Sequence, residues 1–297
     1  MKKIPVILDT DIGTDIDDTW ALIMLLKCPE LDLKLVTVAT DDTPYRARIV
    51  AKILEIAGRT DIPIGIGPRQ KENAGPQNPW VYDYNLSSYS GTIIEDGVSA
   101  IVDVIMKSPE QMTLIAIGPL INVAQALERE PRITENSRFV GMHGSIYKGY
   151  DGNAKPHKEY NVMRDPKSCK KVFEAPWEVT ITPLDTCGIV TLDGERYKRV
   201  RDSEDPLIEA LIENYETWAF LNRRYDPRKE TSVLFDTVAI YLAFSEELLG
   251  METLGIKVRI MGSTVVRENA KKIRCATTWK DLDKFKELLV DILCSNP

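Results

Sequence analysis

A short apolar run at residues 4–8 breaks off into Asp9-Thr10-Asp11-Ile12-Gly13-Thr14-Asp15-Ile16-Asp17-Asp18, after which residues 19–26 turn apolar again. The first run reads as a buried strand and the second as a helix. Strand, polar loop and helix form the repeating unit of parallel sheets, whose ligands sit in a crevice at the carboxyl ends of the strands. Aspartates at positions 9, 11, 15, 17 and 18 crowd that point. Carboxylates so close together repel one another and rise in pKa unless positive charge sits among them. An oxygen-only donor set on a short loop suits a hard cation, Ca²⁺ or Mg²⁺, better than zinc. Aspartate also favours helix N-termini, and capping accounts for one or two of these residues. It does not account for all of them.

Composition agrees with a folded enzyme-sized domain and argues against other classes. The 297 residues, 43% apolar and 28% charged, are enough for one large α/β domain or two smaller ones. A net charge of −7 without a basic stripe argues against a nucleic-acid surface. No stretch approaches a membrane span, and the apolar run after Met1-Lys2-Lys3 meets Asp9 too soon for a signal-peptide core. Cys28, Cys169, Cys187, Cys275 and Cys294 are scattered and lack metal-ligand spacing. They read as reduced, mostly structural thiols, which makes the cytoplasm the default location.

Apolar β-type runs alternate with helical patterns along most of the chain. Strands are predicted at 33–39, 62–67, 112–117, 138–142 and 178–183, and helices at 45–57, 95–107, 121–128, 207–225, 237–249 and 279–294. Residues 256–274 read as a hairpin at a sheet edge. Residues 68–91, rich in Pro, Asn, Gly and aromatics, read as a long loop of the kind that covers a site. The alternation implies an α/β fold in a single domain over 1–297: a mainly parallel open sheet, with helices on both faces of a Rossmann-like core.

Four further segments carry polar groups where strands should end. They are Thr40-Asp41-Asp42, Gly118-Pro119-Leu120-Ile121-Asn122, the run Asn153-Ala154-Lys155-Pro156-His157-Lys158-Glu159-Tyr160-Asn161, and Leu234-Phe235-Asp236-Thr237. Taken in order with the opening loop, they make the chain resemble the inosine–uridine-preferring nucleoside hydrolase family. That family's Asp-x-Asp-Pro-Gly-x-Asp-Asp signature is similar to the opening loop, with Ile12 for proline and a wider spacing.

The resemblance implies a nucleoside hydrolase-like fold and calcium-dependent hydrolysis of the N-glycosidic bond of a ribonucleoside or related riboside, a reaction of purine or pyrimidine salvage. It implies Asp11 as both a Ca²⁺ ligand and the base for a metal-bound water, Asp18 as a bidentate ligand, Ile121 as a ligand through its carbonyl, and Asp236 as the last ligand. Asp17 would accept hydrogen bonds from ribose hydroxyls, and the longer loop leaves Asp15 interchangeable with it. Asn153, Glu159 and Asn161 would bind the sugar, and Met142 would line its pocket. Asp41 stands where the family usually has a sugar-binding asparagine. Phe235, with Trp80, Tyr82, Trp218 and Tyr225, would face the base. Members are commonly dimers or tetramers, so a homodimer or homotetramer is expected.

The chemistry suits these residue types. A ribose diol chelates calcium well, and breaking the N-glycosidic bond builds positive charge on the sugar ring, which carboxylates stabilise where it develops. Each residue also has a duller reading: Asn153 and Asn161 as turn residues, Asp236 as a helix N-cap, Trp218 and Tyr225 as core. Where many family members carry a histidine before the last aspartate, this chain has Phe235, and residues 68–91 offer Trp80, Tyr82, Tyr84 and Tyr89 but no histidine. Stacking of Phe235 or a loop aromatic on the base is the expected substitute. Those departures keep a second reading in play, a non-catalytic riboside-binding protein that retains the metal cage. A third, a phosphatase using Asp9 as nucleophile, leaves residues 153–161 without a use.

Overall fold

The first strand, β1 (Ile4–Thr10), lies at the centre of the sheet because its side chains alternate between two apolar layers. Val6 and Leu8 join one buried cluster and Ile7 the other. A strand hidden on both faces belongs to a parallel sheet covered by helices. β2 (Leu31–Val38), β3 (Ile64–Ile66) and β4 (Ile93–Ile94) extend the sheet on one side of β1, all parallel. β5 (Met112–Ala116), β6 (Ser137–Met142) and β7 (Val179–Thr182) extend it on the other, again parallel. With β8 (Leu249–Val258), β9 (Thr264–Val266) and β10 (Lys272–Trp279), the order is β4-β3-β2-β1-β5-β6-β7-β10-β8-β9. This computed structural model describes residues 2–295.

The helices Asp17–Lys27, Thr43–Ile56, Pro206–Leu221 and Leu282–Leu293 cover one face. Gly97–Lys107, Ile121–Arg129 and Pro166–Glu174 cover the other. The chain leaves β1 toward β2 on one side and resumes at β5 on the other, so strand order reverses beside β1. Ligand crevices of open α/β sheets form at such a switch point. Here it brings the acidic loop after β1 next to the Gly118-Pro119 turn after β5. The mainly parallel α/β fold expected from the alternation is what forms.

Several elements differ from their predicted bounds. The helix expected over 237–249 stops at Leu242, and β8 starts at Leu249. The connection closes on Tyr241, whose hydroxyl accepts from the Leu248 N–H at 3.1 Å, so Leu248 and Leu249 belong to the entry of a strand. The long helix ends at Leu221 rather than at 225, with the Asn222 N–H closing on the Trp218 carbonyl. The hairpin at 256–274 exists as β8 and β9, but β10 runs inside the sheet, parallel to β7 and antiparallel to β8. Residues 68–91 contain a short helix, Asn78–Val81, and a turn of 3₁₀ helix, Leu86–Ser88. The helix Pro166–Glu174 was legible but not predicted: Asp165 caps it by accepting from the Ser168 N–H, with proline in its first turn. All five cysteines are unpaired, four of them buried. Among the described residues no helix is long and apolar enough to cross a membrane.

Candidate active site

The acidic loop starts inside the sheet. Asp9 is the penultimate residue of β1 and wholly buried; its Oδ1 accepts from Thr37 Oγ1 at 2.6 Å and Asn122 Nδ2 at 2.8 Å, while Oδ2 has no partner. Burial pushes its carboxyl up to about 7. Asp9 thus braces the ends of β1, β2 and the helix after β5. Beyond Thr10 the chain turns at Gly13, where φ is +105° and a Cβ would lie 2.7 Å from the Tyr45 ring, so only glycine fits. Asp17 and Asp18 then open the helix Asp17–Lys27.

Asp17, Asp18 and Asp236 each offer a carboxylate oxygen, and these three oxygens lie within 4.8 Å of one another. All three residues are buried. Desolvation first, and mutual repulsion after it, hold their carboxyls well above the ordinary range. Thr10 Oγ1 donates to Asp18 Oδ1 at 2.5 Å and orients it. Asp236 occupies the N-cap position of the helix Thr237–Leu242, yet its side chain makes no capping bond and turns to the other two acids instead. Asp11 lines the same cleft. Burial raises its carboxyl, offset by the charges of Arg46 and Arg164. Gly118 comes so close to it that a Cβ there would sit 2.7 Å from Asp11 Oδ1.

These acids form the floor of a cleft of about 860 Å³. Glu159, Asn161 and Met142 line one wall. Glu159 Oε2 accepts from the N–H groups of Gly144 at 3.0 Å and Val162 at 3.1 Å, and Oε1 from Asn161 at 2.6 Å. Burial still pushes its carboxyl up to about 7. Asn161 spends its amide hydrogens on the carbonyls of Ile117 at 2.9 Å and Met142 at 3.1 Å. Its Oδ1 is therefore left to the cleft as an acceptor. The opposite wall is aromatic. Tyr215, Trp218 and Tyr225 stack in series at centroid distances of 6.1 and 6.0 Å, and Phe235 meets Tyr150 edge-on at 5.9 Å. Trp218, Tyr225 and Phe235 face the cavity.

Other expected site residues lie elsewhere. Asn153 is exposed and its Oδ1 accepts from the Lys155 N–H at 3.0 Å, the turn role open to any loop asparagine. Asp41 is held by Arg164 at 3.0 Å and Lys71 at 3.4 Å, away from the cavity wall. Trp80 donates its indole N–H to Glu213 at 2.9 Å under the Lys52 ammonium, and Tyr82 is 78% exposed; neither lines the cleft. Ile121 starts the helix Ile121–Arg129 without lining the cavity, which Ile117 does line. Sequence reasoning missed Tyr150, Asp151, Tyr160, Arg223 and Arg224 on the wall. Arg224 reaches across the mouth to both oxygens of Asp151 at 2.9 Å. The signal for the arginines was their pairing, Arg223-Arg224, just past the end of an amphipathic helix. Among the described residues no histidine lines the cleft. His143 lies behind it, its Nε2 3.1 Å from the Gly118 carbonyl, and burial holds its pKa down to about 4.

The arrangement, a buried cluster of carboxylates facing hydroxyl-accepting groups across from an aromatic wall, can hold a hard cation, a polyol and a flat ring side by side. Comparison with known proteins agrees. The model of the family described as inosine-uridine preferring nucleoside hydrolase matches residues 6–287. The probable uridine nucleosidase 2 of Arabidopsis thaliana is 25% identical, over 96% of this chain and 92% of that one. The pyrimidine-specific ribonucleoside hydrolase RihA of Enterobacter sp. (strain 638) is 30% identical, over 73% and 74% respectively. Among solved structures, the plant nucleoside hydrolase PpNRh1 superposes with a TM-score of 0.85 at 22% identity, covering 99% of this chain and all of that one.

Proposed function

The chain belongs to the inosine-uridine preferring nucleoside hydrolase family and is an N-ribosyl hydrolase, and on that premise we propose that calcium is its metal and Asp11 its general base. Membership sets aside both the non-catalytic and the phosphatase readings. The observation that carries the proposal is the convergence of Asp17, Asp18 and Asp236 within 4.8 Å. Three buried carboxylates at that spacing cannot all be ionised without a cation among them, and oxygen donors alone suit calcium. The donor set therefore fits the metal. Asp18 and Asp236, with Asp11, are the ligands we assign; Asp17 accepts the ribose hydroxyls. When bound, the ion supplies positive charge that acidifies water and draws the sugar's hydroxyls to the floor.

The residues of the chain supply the remainder. Asp11 takes the proton of the attacking water as that water approaches the anomeric carbon. Asn161 Oδ1 and the remaining lone pair on Glu159 Oε1 accept ribose hydroxyls, which fixes the sugar over the acids. Positive charge grows on the ring as the glycosidic bond breaks, and the ionised carboxylates stabilise it there. The base leaves along the aromatic wall, between the Trp218–Tyr225 stack and Phe235. Stacking there raises the basicity of the base, so that solvent protonates it without a histidine.

Phe235→Ala is accordingly expected to lower kcat for the best nucleoside by about fivefold, the scale of one aromatic contact of about 1 kcal/mol. Steady-state rates that match the wild type would take Phe235 out of leaving-group chemistry. The broader test is ribose release from purine, pyrimidine and nicotinamide ribosides, with calcium and with chelator. Uridine heads the panel because it recurs in the names of the relatives. No release from any riboside by folded, calcium-loaded protein would overturn the proposal. We further propose a single domain that assembles as a homodimer or homotetramer in the cytoplasm. Sedimentation of a monomer would remove the assembly.

A further inference from the structure

Five consecutive carbonyls of the acidic loop, those of Asp11, Ile12, Gly13, Thr14 and Asp15, each accept a hydrogen bond from a side chain. The loop is neither helix nor strand, so these groups have no ladder of their own, and left unpaired in the interior each would be costly. Tyr45 donates to Gly13 at 3.1 Å, Trp218 to Thr14 at 3.2 Å and Gln77 to Asp15 at 2.6 Å. Arg46, in the helix Thr43–Ile56, takes the remaining two: its Nη1 donates to the carbonyls of Asp11 and, at 2.8 Å, Ile12. It is 2% exposed.

A guanidinium has five N–H donors, and here every one is engaged. Besides the two carbonyls, Nη2 reaches Thr14 Oγ1 at 3.0 Å and Thr40 Oγ1 at 3.3 Å, and Nε reaches the Thr40 carbonyl at 3.0 Å. Among the described residues no carboxylate hydrogen-bonds to it; Asp41 Oδ2 lies 3.8 Å away. The exposed arginines Arg59 and Arg228, by contrast, each pair with a neighbouring aspartate through two nitrogens. A buried cation whose close hydrogen bonds all go to backbone and hydroxyls, with Asp41 only at 3.8 Å, needs a further reason to be there, because burial of a charge is expensive. Arg46 also ties down the turn after β2, where Thr40 and Asp41 adopt φ of 64° and 48°, a region that residues other than glycine rarely occupy. One side chain thus locks the loops that follow β1 and β2 against each other.

We propose that Arg46 is a positioning residue of the hydrolytic site: its fork fixes the backbone on which Asp11 and, six and seven residues on, Asp17 and Asp18 are carried, so that Asp11 and Asp18 meet one cation. The inference rests on the function proposed above. Lysine keeps the charge but has three donors and no planar fork. Arg46→Lys is therefore expected to fold, while binding calcium about 10–100-fold more weakly and losing kcat by a similar factor with KM little changed, as for other residues that orient metal ligands from behind. Calorimetric titration of the metal-free protein with calcium reads the first effect without any substrate. In Arg46→Ala, added guanidinium at millimolar concentration is expected to restore part of the calcium affinity, which a general loss of core packing would not allow.

Wild-type calcium affinity and kcat in Arg46→Lys would overturn the proposal. So would failure of Arg46→Lys to fold, which would assign the arginine to the core. If the wild type binds calcium but hydrolyses no riboside, the proposed reaction falls, while the calcium titrations still decide the role of Arg46.

Discussion

Asp11→Asn is expected to lower ribose release by about 10³-fold or more at saturating calcium, since a positioned general base alone contributes about 10²–10⁴. The substitution keeps the shape of the side chain, and the Asp11 carbonyl stays in the grip of Arg46, so the loop should hold its place. What is lost is the ability to take a proton. Asparagine also remains an oxygen donor, so calcium affinity should fall much less than turnover. That separation is the test: ribose release measured at calcium concentrations well above the variant's own dissociation constant. Recovery of the rate at high calcium would mean that Asp11 serves the ion only, and the base would have to be sought elsewhere on the wall, where Asp15 of the same loop also lines the cleft.

Asp11 was legible because it belongs to a local pattern, an acid just past a buried strand, and such patterns survive in a single sequence. Asp236 is a different case. Alone it reads as the N-cap of the helix it precedes, and only resemblance connected it to acids more than 200 residues earlier in the chain. The structure shows why the local reading misleads: the carboxylate makes no capping bond and faces Asp17 and Asp18. The aromatics went the other way. Residues 68–91 carry four of them, and composition cannot say which face a loop turns inward. The fold directs Trp80 to Glu213 and leaves Tyr82 in solvent, whereas Trp218, which an aromatic stripe suggests is core, serves both the core and the cavity. Arg46 carried no signal at all. It sits two residues from Arg48 in an ordinary-looking helix, and what distinguishes it, complete burial with five acceptors, exists only once β1 and β2 lie side by side.

The metal-free protein is expected to lose stability as pH rises from about 5 to 8, and calcium to restore it. The sign follows from burial. Asp15 is pushed up to about 6, Asp9 and Glu159 to about 7, and Asp17, Asp18 and Asp236 well above the ordinary range. In the unfolded chain all of them titrate near 4, so above that pH the folded state holds protons that the unfolded state has released. Stability from this source is complete below about 4 and is lost as pH climbs through the folded values. For a group moved by about three units the loss is on the order of 4 kcal/mol, an upper bound because neighbours relax. Calcium replaces those protons. At about 100 times its dissociation constant a ligand of the native state adds about 2.7 kcal/mol, which for a chain of this size raises Tm by about 4 °C. The rise should be larger at pH 8 than at pH 6, where protons still compete for the site. Asp236→Ala sharpens the test. Without calcium it should melt at or above the wild type at pH 8, because one of three mutually repelling carboxylates is gone; with calcium it should gain little. If Asp236→Ala instead keeps the full calcium-induced rise, Asp236 is not a ligand of the metal, and the convergence of its oxygen with those of Asp17 and Asp18 would be a consequence of packing alone.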